Sequence, residues 1–203
     1  MTKFIEYKLS PYFNEIHIPV TALYPDRLRS LYELAILSKF IDGDVVECGV
    51  FAGGSASLLA QTIYPKKLHL FDTFTGLPPL MPEDGNAQLE GAFACSLDVV
   101  KENLRLLDNV IYHVGDIKDT LEEVTNNRFS LVHLDLDRYL SYKIALDFFW
   151  DRTNGIIVCD DYAVGDCEGA TKAIDEFLAM HSITEVEYKE CQIIIKCYSQ
   201  KFS

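Results

Sequence analysis

The sequence predicts an α/β fold in which a doubly wound, mostly parallel seven-stranded sheet ends in an antiparallel hairpin. Strand-like and helical patterns alternate along most of the chain, and the last two strand-like segments have no helix between them. Alternating strands and helices favour parallel pairing, because each helix returns the chain to the same end of the sheet. With 203 residues, of which 49% are hydrophobic, the chain suits a single domain spanning residues 1–203.

The first element is a helix, within an N-terminal helical segment that we place at residues 1–42. Pro25 suits the first turn of a helix, and Leu28, Leu31 and Leu34 fall on one apolar face of residues 25–41. Three strand-helix units follow: "DVVECGV" with "SASLLAQTIY", "KLHLFDTF" with "SLDVVKENLRLL", and "NVIYHVGD" with "IKDTLEEVT". The apolar residues of each strand form short buried runs bounded by turn residues.

Two further units and a hairpin complete the fold. The units are "FSLVHLDLD" with "SYKIALDFFWDR" and "GIIVCDD" with "GATKAIDEFLAMH"; the hairpin strands are "TEVEYKE" and "CQIIIKCYS". Five parallel strands closed by a hairpin is the chain order of class I methyltransferases, whereas a dinucleotide-binding Rossmann domain more often continues with further β-α units. The predicted fold is therefore Rossmann-like, of the class I methyltransferase type.

Charge and composition exclude several classes of partner. The net charge is −13 and no run is rich in lysine or arginine, which argues against nucleic acid. No apolar run approaches the roughly 18 residues of a membrane span, and the N-terminus lacks a secretory signal, so we expect a cytoplasmic protein. The six cysteines form no C-x-x-C zinc motif. A small molecule, cationic or delivered with a metal ion, is the expected partner.

The loop after the first strand, "ECGVFAGGSAS", contains Glu47, Gly49, Gly53, Gly54 and Ser55. Glycines allow a tight turn and close approach to a ligand, and the helix that follows offers free N–H groups. The spacing differs from G-x-G-x-x-G, which disfavours a pyrophosphate and favours the carboxylate of S-adenosylmethionine (SAM). An ordinary glycine-rich turn remains the alternative.

Acidic residues also end the second and third strands. Asp72 is placed to accept hydrogen bonds from ribose hydroxyls, and Gly115-Asp116 is placed to bind the adenine amino group. Each acid alone is explained equally well as a helix cap. Together they indicate a nucleoside pocket, which SAM or NAD would fit.

Carboxylates also end the fourth and fifth strands, at Asp135 and Asp137 in "LVHLDLDRYLS" and at Asp160 and Asp161 in "GIIVCDDY". We expect both strands to neighbour the first, and Asp135 and Asp137 to point the same way. Burying several carboxylates together is unfavourable without a cation, and Mg²⁺ prefers carboxylate oxygens. Helix capping is the plainer interpretation. A D-x-D motif also occurs in haloacid-type phosphatases, which fit poorly here, and in glycosyltransferases.

Two further features concern the acceptor. His133 precedes Asp135 by two residues and should face the same way, although a packed histidine is the commoner role for such a position. The loop at residues 76–96 is long and proline-containing, which is typical of a lid. We expect this loop and the N-terminal segment to cover the acceptor.

Several motifs in order resemble the macrocin O-methyltransferase (TylF-type) family. They are "GDVVECGVFAGGSASLLA", "LHLFDTFTGLP", "DTLEEV", "LVHLDLDRYLSYKIAL" and "GIIVCDDYAVGDCEGATKAIDEF". The family comprises SAM- and Mg²⁺-dependent O-methyltransferases that act mainly on sugar hydroxyls of natural products. The chain departs from it in a shorter segment between the two acid pairs, in "VGD" at residues 114–116, and in a short N-terminal region.

The resemblance implies a role for each matching residue. Asp135, Asp160 and Asp161 would bind Mg²⁺ or another divalent cation, and Asp135 would resemble the general base, with His133 as the other catalytic candidate. Glu47, Gly49, Ser55, Asp72 and Asp116 would match SAM-binding positions. The implied partner is a small-molecule hydroxyl acceptor, and the habit of the family suggests a homo-oligomer. A SAM- or nucleotide-binding protein without catalysis and an NAD-dependent enzyme remain alternatives.

Overall fold

The computed structural model describes residues 16–200, so the first fifteen and last three residues of the predicted domain lie outside the described residues. A seven-stranded sheet has the order β3-β2-β1-β4-β5-β7-β6. Its strands are β1 (Asp44–Cys48), β2 (Leu68–Asp72), β3 (Val110–Val114), β4 (Phe129–Leu134), β5 (Thr153–Cys159), β6 (Glu187–Lys189) and β7 (Gln192–Lys196). The first five strands are parallel, and β7 pairs antiparallel with both β5 and β6, which confirms the predicted fold class.

The helices cover both faces of this sheet. They are α1 (Pro25–Ser38), α2 (Gly54–Ile63), α3 (Leu97–Asn103), α4 (Ile117–Thr120), α5 (Tyr139–Trp150), α6 (Glu168–Met180) and α7 (Cys197–Gln200), with 3₁₀ turns at Pro82–Asp84 and Leu121–Val124. Alternate strand residues enter two cores: Val46 and Val132 pack with α5 and α6, while Val45 and Leu131 pack with α1 and α2. Burial of both sheet faces explains why the strands read as nearly continuous apolar runs.

The fourth strand is shorter than predicted. It ends at Leu134, and Asp137 has a positive φ of 57°. Alternation of side chains applies only within a strand, and both Asp135 and Asp137 lie beyond the end of β4. The reason given for expecting the two side chains to point the same way therefore does not hold. The prediction that strands four and five both neighbour strand one was half wrong: β4 pairs with β1, whereas β5 pairs with β4 and β7.

Residues 16–24 form a strap that crosses helix α2. The carbonyl oxygen of His17 accepts hydrogen bonds from Ser57 Oγ at 2.6 Å and Gln61 Nε2 at 2.8 Å. Gly54 makes the crossing close, because a Cβ there would lie 2.4 Å from Thr21 Cβ. The strap thereby carries the chain into α1 along the carboxyl edge of the sheet. Within residues 16–200, no helix is both long and apolar enough to cross a membrane.

Candidate active site

A cavity of about 340 Å³ lies at the carboxyl ends of the parallel strands. Eight predicted site residues line it: Gly49, Ser55, Asp72, Gly115, Asp116, Asp135, Asp160 and Asp161. The four others, Glu47, Gly53, Gly54 and His133, are not among the lining residues. The topology explains the grouping, because the carboxyl ends of parallel strands meet at one edge of the sheet.

The loop after β1 passes directly against the residue that follows β4. Gly49 has a φ of 88°, and a Cβ on it would lie 1.8 Å from the carbonyl oxygen of Asp135. Only glycine allows this approach without displacing one of the two loops. Gly49 therefore joins the part of the cavity at β1–β3 to the part at β4 and β5.

Asp72 supports the same loop from strand β2. Its Oδ2 accepts the backbone N–H groups of Val50 at 2.6 Å and Phe51 at 3.2 Å, and its Oδ1 accepts that of Phe74 at 2.7 Å. Most of the hydrogen-bonding capacity of this carboxylate is therefore directed at backbone. The sequence suggested a ribose ligand, but the described contacts show first of all a residue that shapes two loops.

Three of the predicted cofactor residues support the cavity wall from outside it. Glu47 is fully buried, with Oε1 3.1 Å from His133 Nδ1. Gly53 caps α2 with a φ of 85° and packs near Val100, while Gly54 faces the strap. Direct contact between these three residues and a cofactor gains no support from their positions.

The far end of the cavity is formed by the loop after β3. Gly115 has a φ of 146°, and Asp116 caps the short helix α4 by accepting Lys118 N at 3.1 Å. Ser55, at the start of α2, also lines the cavity. Together with Asp72, these residues leave an elongated space along the ends of β1, β2 and β3.

Three carboxylates converge at the other end of the cavity. One oxygen each of Asp135, Asp160 and Asp161 lies within 4.8 Å of the others, although the first residue follows β4 and the other two follow β5. The side chain of Asp135 makes no hydrogen bond or ion pair within the described part of the chain. An all-oxygen donor set of this kind suits a hard divalent cation such as Mg²⁺.

Asp160 is the most firmly held of the three. Its Oδ2 lies 2.6 Å from Nη1 of Arg27, its Oδ1 accepts Gln192 Nε2 at 2.6 Å, and His133 Nε2 lies 3.7 Å away. Burial alone would raise the pKa of Asp160, but His133, Arg27 and Gln192 outweigh it and lower the pKa below its usual value. This carboxylate is therefore charged and fixed on the α1 side of the sheet.

Asp161 faces helix α5 instead. Its Oδ2 accepts the backbone N–H groups of Leu136 at 3.1 Å and Asp137 at 3.0 Å, together with the hydroxyl of Tyr142 at 2.8 Å. Burial, with the charges of Asp137 and Asp160, raises its pKa to about 7. Burial, with the charges of Asp161 and Asp160, also raises the pKa of Asp135 well above its usual value. Without a bound cation, Asp135 and Asp161 therefore retain their protons more readily than ordinary aspartates.

Asp137 belongs to a second group that shares Asp161. Oxygens of Asp137 and Asp161 and the sulfur of Cys167 lie within 4.8 Å of one another, and Cys167 Sγ lies 3.4 Å from Asp137 Oδ1. Burial is the main cause that raises the pKa of both Asp137 and the Cys167 thiol. The thiol is therefore protonated and donates to Asp137.

His133 lies beneath the acid cluster, fully buried between Glu47 and Asp160. Burial alone would lower its pKa, but the two carboxylates together raise it to about 9. His133 is therefore an imidazolium at neutral pH that stabilises Asp160 from below. It reaches the cavity only through that carboxylate.

Several residues that complete the cavity were not predicted from the sequence. Arg27, Gln192 and Tyr142 bond to the predicted acids, while Phe51 and Phe93 form an edge-to-face pair, with ring centroids 5.9 Å apart, on the cavity wall. Phe51 and Tyr142 lie within quoted motifs, but at positions to which no role was assigned, and each of the five comes from a different part of the chain. Their roles depend on contacts between distant segments, for which a single sequence carries no local signal.

The loop at residues 76–96 covers one side of the cavity. Its lining residues are Gly76, Leu77, Pro78, Gln88, Ala92 and Phe93. The loop is also bonded to the body of the protein: Gln88 Nε2 donates to Asp166 Oδ2 at 2.6 Å, and Asp84 is fully buried. This position agrees with the expectation of a lid over the acceptor, which remains a prediction.

Comparison with known proteins matches residues 20–190 to the macrocin O-methyltransferase (TylF) family. One relative is 31% identical over 163 residues, covering 71% of this chain and 62% of its own: 8-demethyl-8-(2,3-dimethoxy-alpha-L-rhamnosyl)-tetracenomycin-C 4'-O-methyltransferase of Streptomyces olivaceus. Demethyldecarbamoylnovobiocin O-methyltransferase of Streptomyces niveus is 27% identical over 169 residues, which is 74% of this chain and 63% of that protein. The chain thus spans less than two thirds of the length of these relatives.

Solved structures show the same fold. The O-methyltransferase NovP superposes with a TM-score of 0.73 at 22% identity, covering 87% of this chain and 81% of its own. TomG from Streptomyces achromogenes, solved with SAM, gives a TM-score of 0.62 at 16% identity, covering 88% and 82% of the two chains. The family match spans most of the sequence and includes the strand ends that line the cavity. The chain belongs to the macrocin O-methyltransferase (TylF) family.

Proposed function

We propose that this protein is a SAM-dependent O-methyltransferase that uses Mg²⁺ or another divalent cation. Its acceptor is a hydroxyl of a small molecule, a sugar or natural-product intermediate. The observation that carries the proposal is the convergence of Asp135, Asp160 and Asp161 at one end of a cavity whose other end is lined by the loops after β1, β2 and β3. The relatives named above are O-methyltransferases of tetracenomycin and novobiocin compounds, which supports the acceptor class.

The cofactor lies in the part of the cavity formed by the first three strands. Gly49 and the first turn of α2 at Ser55 would hold the methionyl group, because free N–H groups at a helix start favour a carboxylate. Asp72 and Asp116 line the part of the cavity that would hold the nucleoside. Glu47, Gly53 and Gly54 act indirectly, by holding the wall and the strap in place.

The cation is held by Asp135, Asp160 and Asp161, and it would lower the pKa of the acceptor hydroxyl and offset the excess of carboxylates. The chain itself keeps Asp160 in place through Arg27 and Gln192, and Asp161 through Tyr142 and backbone N–H groups. Preorganised ligands of this kind would fix the cation, and a cation so fixed would help to orient the acceptor oxygen.

Asp135, rather than His133, is the proton acceptor. It lines the cavity, and its carboxylate has no hydrogen-bond or ion-pair partner within the described residues. His133 is already protonated and is fully buried. As the acceptor oxygen bonds to the methyl carbon, the carbon–sulfur bond breaks, the proton passes to Asp135, and S-adenosylhomocysteine (SAH) leaves.

Calorimetric titration with SAH, with and without Mg²⁺ and alongside NAD⁺, tests the cofactor. We expect micromolar binding of SAH and none of NAD⁺; the reverse result would point to a dehydrogenase. Methyl transfer from SAM to sugars and catechols then tests the activity. Full activity of an Asp160→Asn/Asp161→Asn variant in EDTA would exclude the metal-assisted mechanism.

Two single variants separate the catalytic assignments. We expect Asp135→Asn to bind SAH normally but to lose methyl transfer by at least about a hundredfold, the range of a lost general base. His133→Asn should keep more methyl-transfer activity than Asp135→Asn, because His133 only helps to hold Asp160 in place. The opposite order would make His133 the base, and SAH binding without transfer to any acceptor would favour a binding protein.

A further inference from the structure

Arg138 connects the D-x-D motif to the loop over the cavity. We call residues 135–138 the acid loop and residues 76–96 the cap loop. Arg138 is 1% exposed, and its guanidinium donates to the carbonyl oxygens of Pro78, at 3.2 Å from Nε, and Gln88, at 2.5 Å from Nη2. One side chain of the acid loop therefore holds two separate parts of the cap loop.

Asp84 makes the reciprocal connection from the cap loop. It is fully buried, and its carboxylate accepts the backbone N–H of Tyr139 at 2.7 Å and that of Met81 at 2.8 Å. Tyr139 is the first residue of α5 and directly follows Arg138. The cap loop is thus bonded to both residues that come immediately after Asp137.

Arg138 and Asp84 are both buried, but their hydrogen bonds are to backbone groups and not to each other. The described contacts of both groups are to backbone, and Arg138 Nη1 has no hydrogen-bond partner among the described residues. The charge of Arg138 acts on Asp137, but neither Arg138 nor Asp84 makes an ion pair among the described residues, and packing alone would be served better by apolar side chains. These two residues therefore have a role that depends on the direction of their hydrogen bonds.

That role is visible in the backbone of the acid loop. Asp137 has a φ of 57°, in the left-handed region that non-glycine residues seldom adopt. Such a conformation persists when contacts on both sides maintain it. On one side, Asp161 Oδ2 accepts the N–H groups of Leu136 and Asp137; on the other, the cap loop holds Arg138 and Tyr139.

We propose that Arg138 and Asp84 are positioning residues that hold the acid loop in its ligand-binding shape, so that docking of the cap loop and cation binding at Asp135, Asp160 and Asp161 are linked. The inference rests on the proposed function, because it requires the cation site. Linkage is reciprocal: if the docked cap loop tightens cation binding, the cation stabilises the docked cap loop to the same degree.

The experiment uses Mn²⁺ as the probe and compares Arg138→Met with the matched control Arg105→Met. Arg105 is an exposed arginine whose described bonds are to Glu102. Mn²⁺ affinity is measured by the electron paramagnetic resonance signal of the free ion. Chymotrypsin cleavage reports on the cap loop, where Met81, Leu89 and Phe93 are exposed.

For the unmodified protein and Arg105→Met, we expect equal Mn²⁺ affinity and slower cleavage when Mn²⁺ is present. For Arg138→Met, we expect affinity lower by at least about tenfold, the effect typical of residues that orient metal ligands. Its cap loop should be cut rapidly whether or not Mn²⁺ is present. Arg138→Lys keeps the charge but not the forked geometry of arginine. Its Mn²⁺ affinity and its rate of cap-loop cleavage should therefore lie between those of the unmodified protein and those of Arg138→Met.

The outcomes separate this inference from the proposed function. Equal Mn²⁺ affinity in Arg138→Met and the unmodified protein would overturn the linkage and leave the cation site intact. Failure of the unmodified protein to bind Mn²⁺ would overturn both the linkage and the metal-assisted mechanism. If Arg138→Met does not fold, Asp84→Asn and Arg138→Lys are compared in its place, with the same criteria.

Discussion

Nη1 of Arg27 lies 2.6 Å from Oδ2 of Asp160, and this ion pair joins helix α1 to the acid cluster at the end of β5. The carboxylate is fully buried, whereas the arginine side chain is 14% exposed and lines the cavity. The N-terminal strap and α1 are therefore part of the site, not only a cover for it.

We predict that Arg27→Met lowers the free energy of unfolding by about 2–3 kcal/mol, because it removes one of the two cations beside a buried carboxylate and leaves only His133. Arg29→Met is the matched control: Arg29 lies on the same helix and pairs with Glu33 at the surface, where an ion pair contributes about 0–1 kcal/mol. Urea unfolding with EDTA present measures both variants. If both variants lose the same free energy of unfolding, the buried Arg27–Asp160 pair stabilises the fold no more than a surface ion pair does.

The raised pKa of Asp161 predicts a pH dependence of stability. Without metal, this group binds its proton up to a pH of about 7 in the folded state but only to about 3.8 when unfolded. The folded state therefore holds more protons in this window, and the free energy of unfolding falls as pH rises from about 4 to about 7. The slope due to one such group is at most about 1.4 kcal/mol per pH unit.

His133 acts in the same direction at higher pH. Its pKa is raised from 6.5 to about 9, so its contribution to stability is complete below about 6.5 and is lost as pH rises through 9. Urea unfolding between pH 4 and 9 in EDTA measures both effects. In Asp161→Asn, the free energy of unfolding should depend less steeply on pH between about 4 and 7. In the unmodified protein, added Mg²⁺ should raise the free energy of unfolding above pH 7. A slope unchanged by Asp161→Asn would contradict the assignment.

Gly49 offers a steric test of the contact between the two parts of the cavity. Gly49→Ala places a methyl group against the carbonyl oxygen of Asp135 and forces a positive φ on alanine. We expect a loss of stability of at least about 2 kcal/mol and weaker SAH binding. Gly165→Ala is the control, since nothing lies within 4 Å of its added Cβ. Thermal unfolding measures the stability of both variants, and calorimetry measures their affinity for SAH. Unchanged stability and SAH affinity in Gly49→Ala would contradict the close contact between Gly49 and Asp135.

Replacement of Asp72 and of Asp116 should affect stability differently, although both residues line the cavity. Asp72→Asn replaces an acceptor of three backbone N–H groups, so we expect a loss of about 1–3 kcal/mol in stability and at least tenfold weaker SAH binding. Asp116→Asn should leave stability nearly unchanged, because asparagine caps a helix as well as aspartate does. A loss of SAH affinity in Asp116→Asn at full stability would indicate direct contact with the adenine.

The order of the seven strands and of helices α1 to α6 was determined by sequence alone, whereas α7 lies where the last strand was predicted to continue. Buried parallel strands read as short apolar runs, and a hairpin leaves two strands without a helix between them, so local patterns suffice for both. The convergence of Asp72, Asp116, Asp135, Asp160 and Asp161 followed as well, because parallel strands bring their carboxyl ends to one edge. The exact end of β4 did not follow, since apolar character continues to Leu136 while pairing stops at Leu134.

Only the tertiary structure decided what each acid contacts. Arg27 reaches Asp160, Arg138 reaches Pro78, and His133 pairs with Glu47, all between segments far apart in the chain. Gly54, which the sequence predicts as a cofactor-binding position, lies against the strap. A glycine or an arginine has the same local pattern whether it meets a ligand or another segment. The packing of distant segments decides between these roles, and that packing depends on the whole fold.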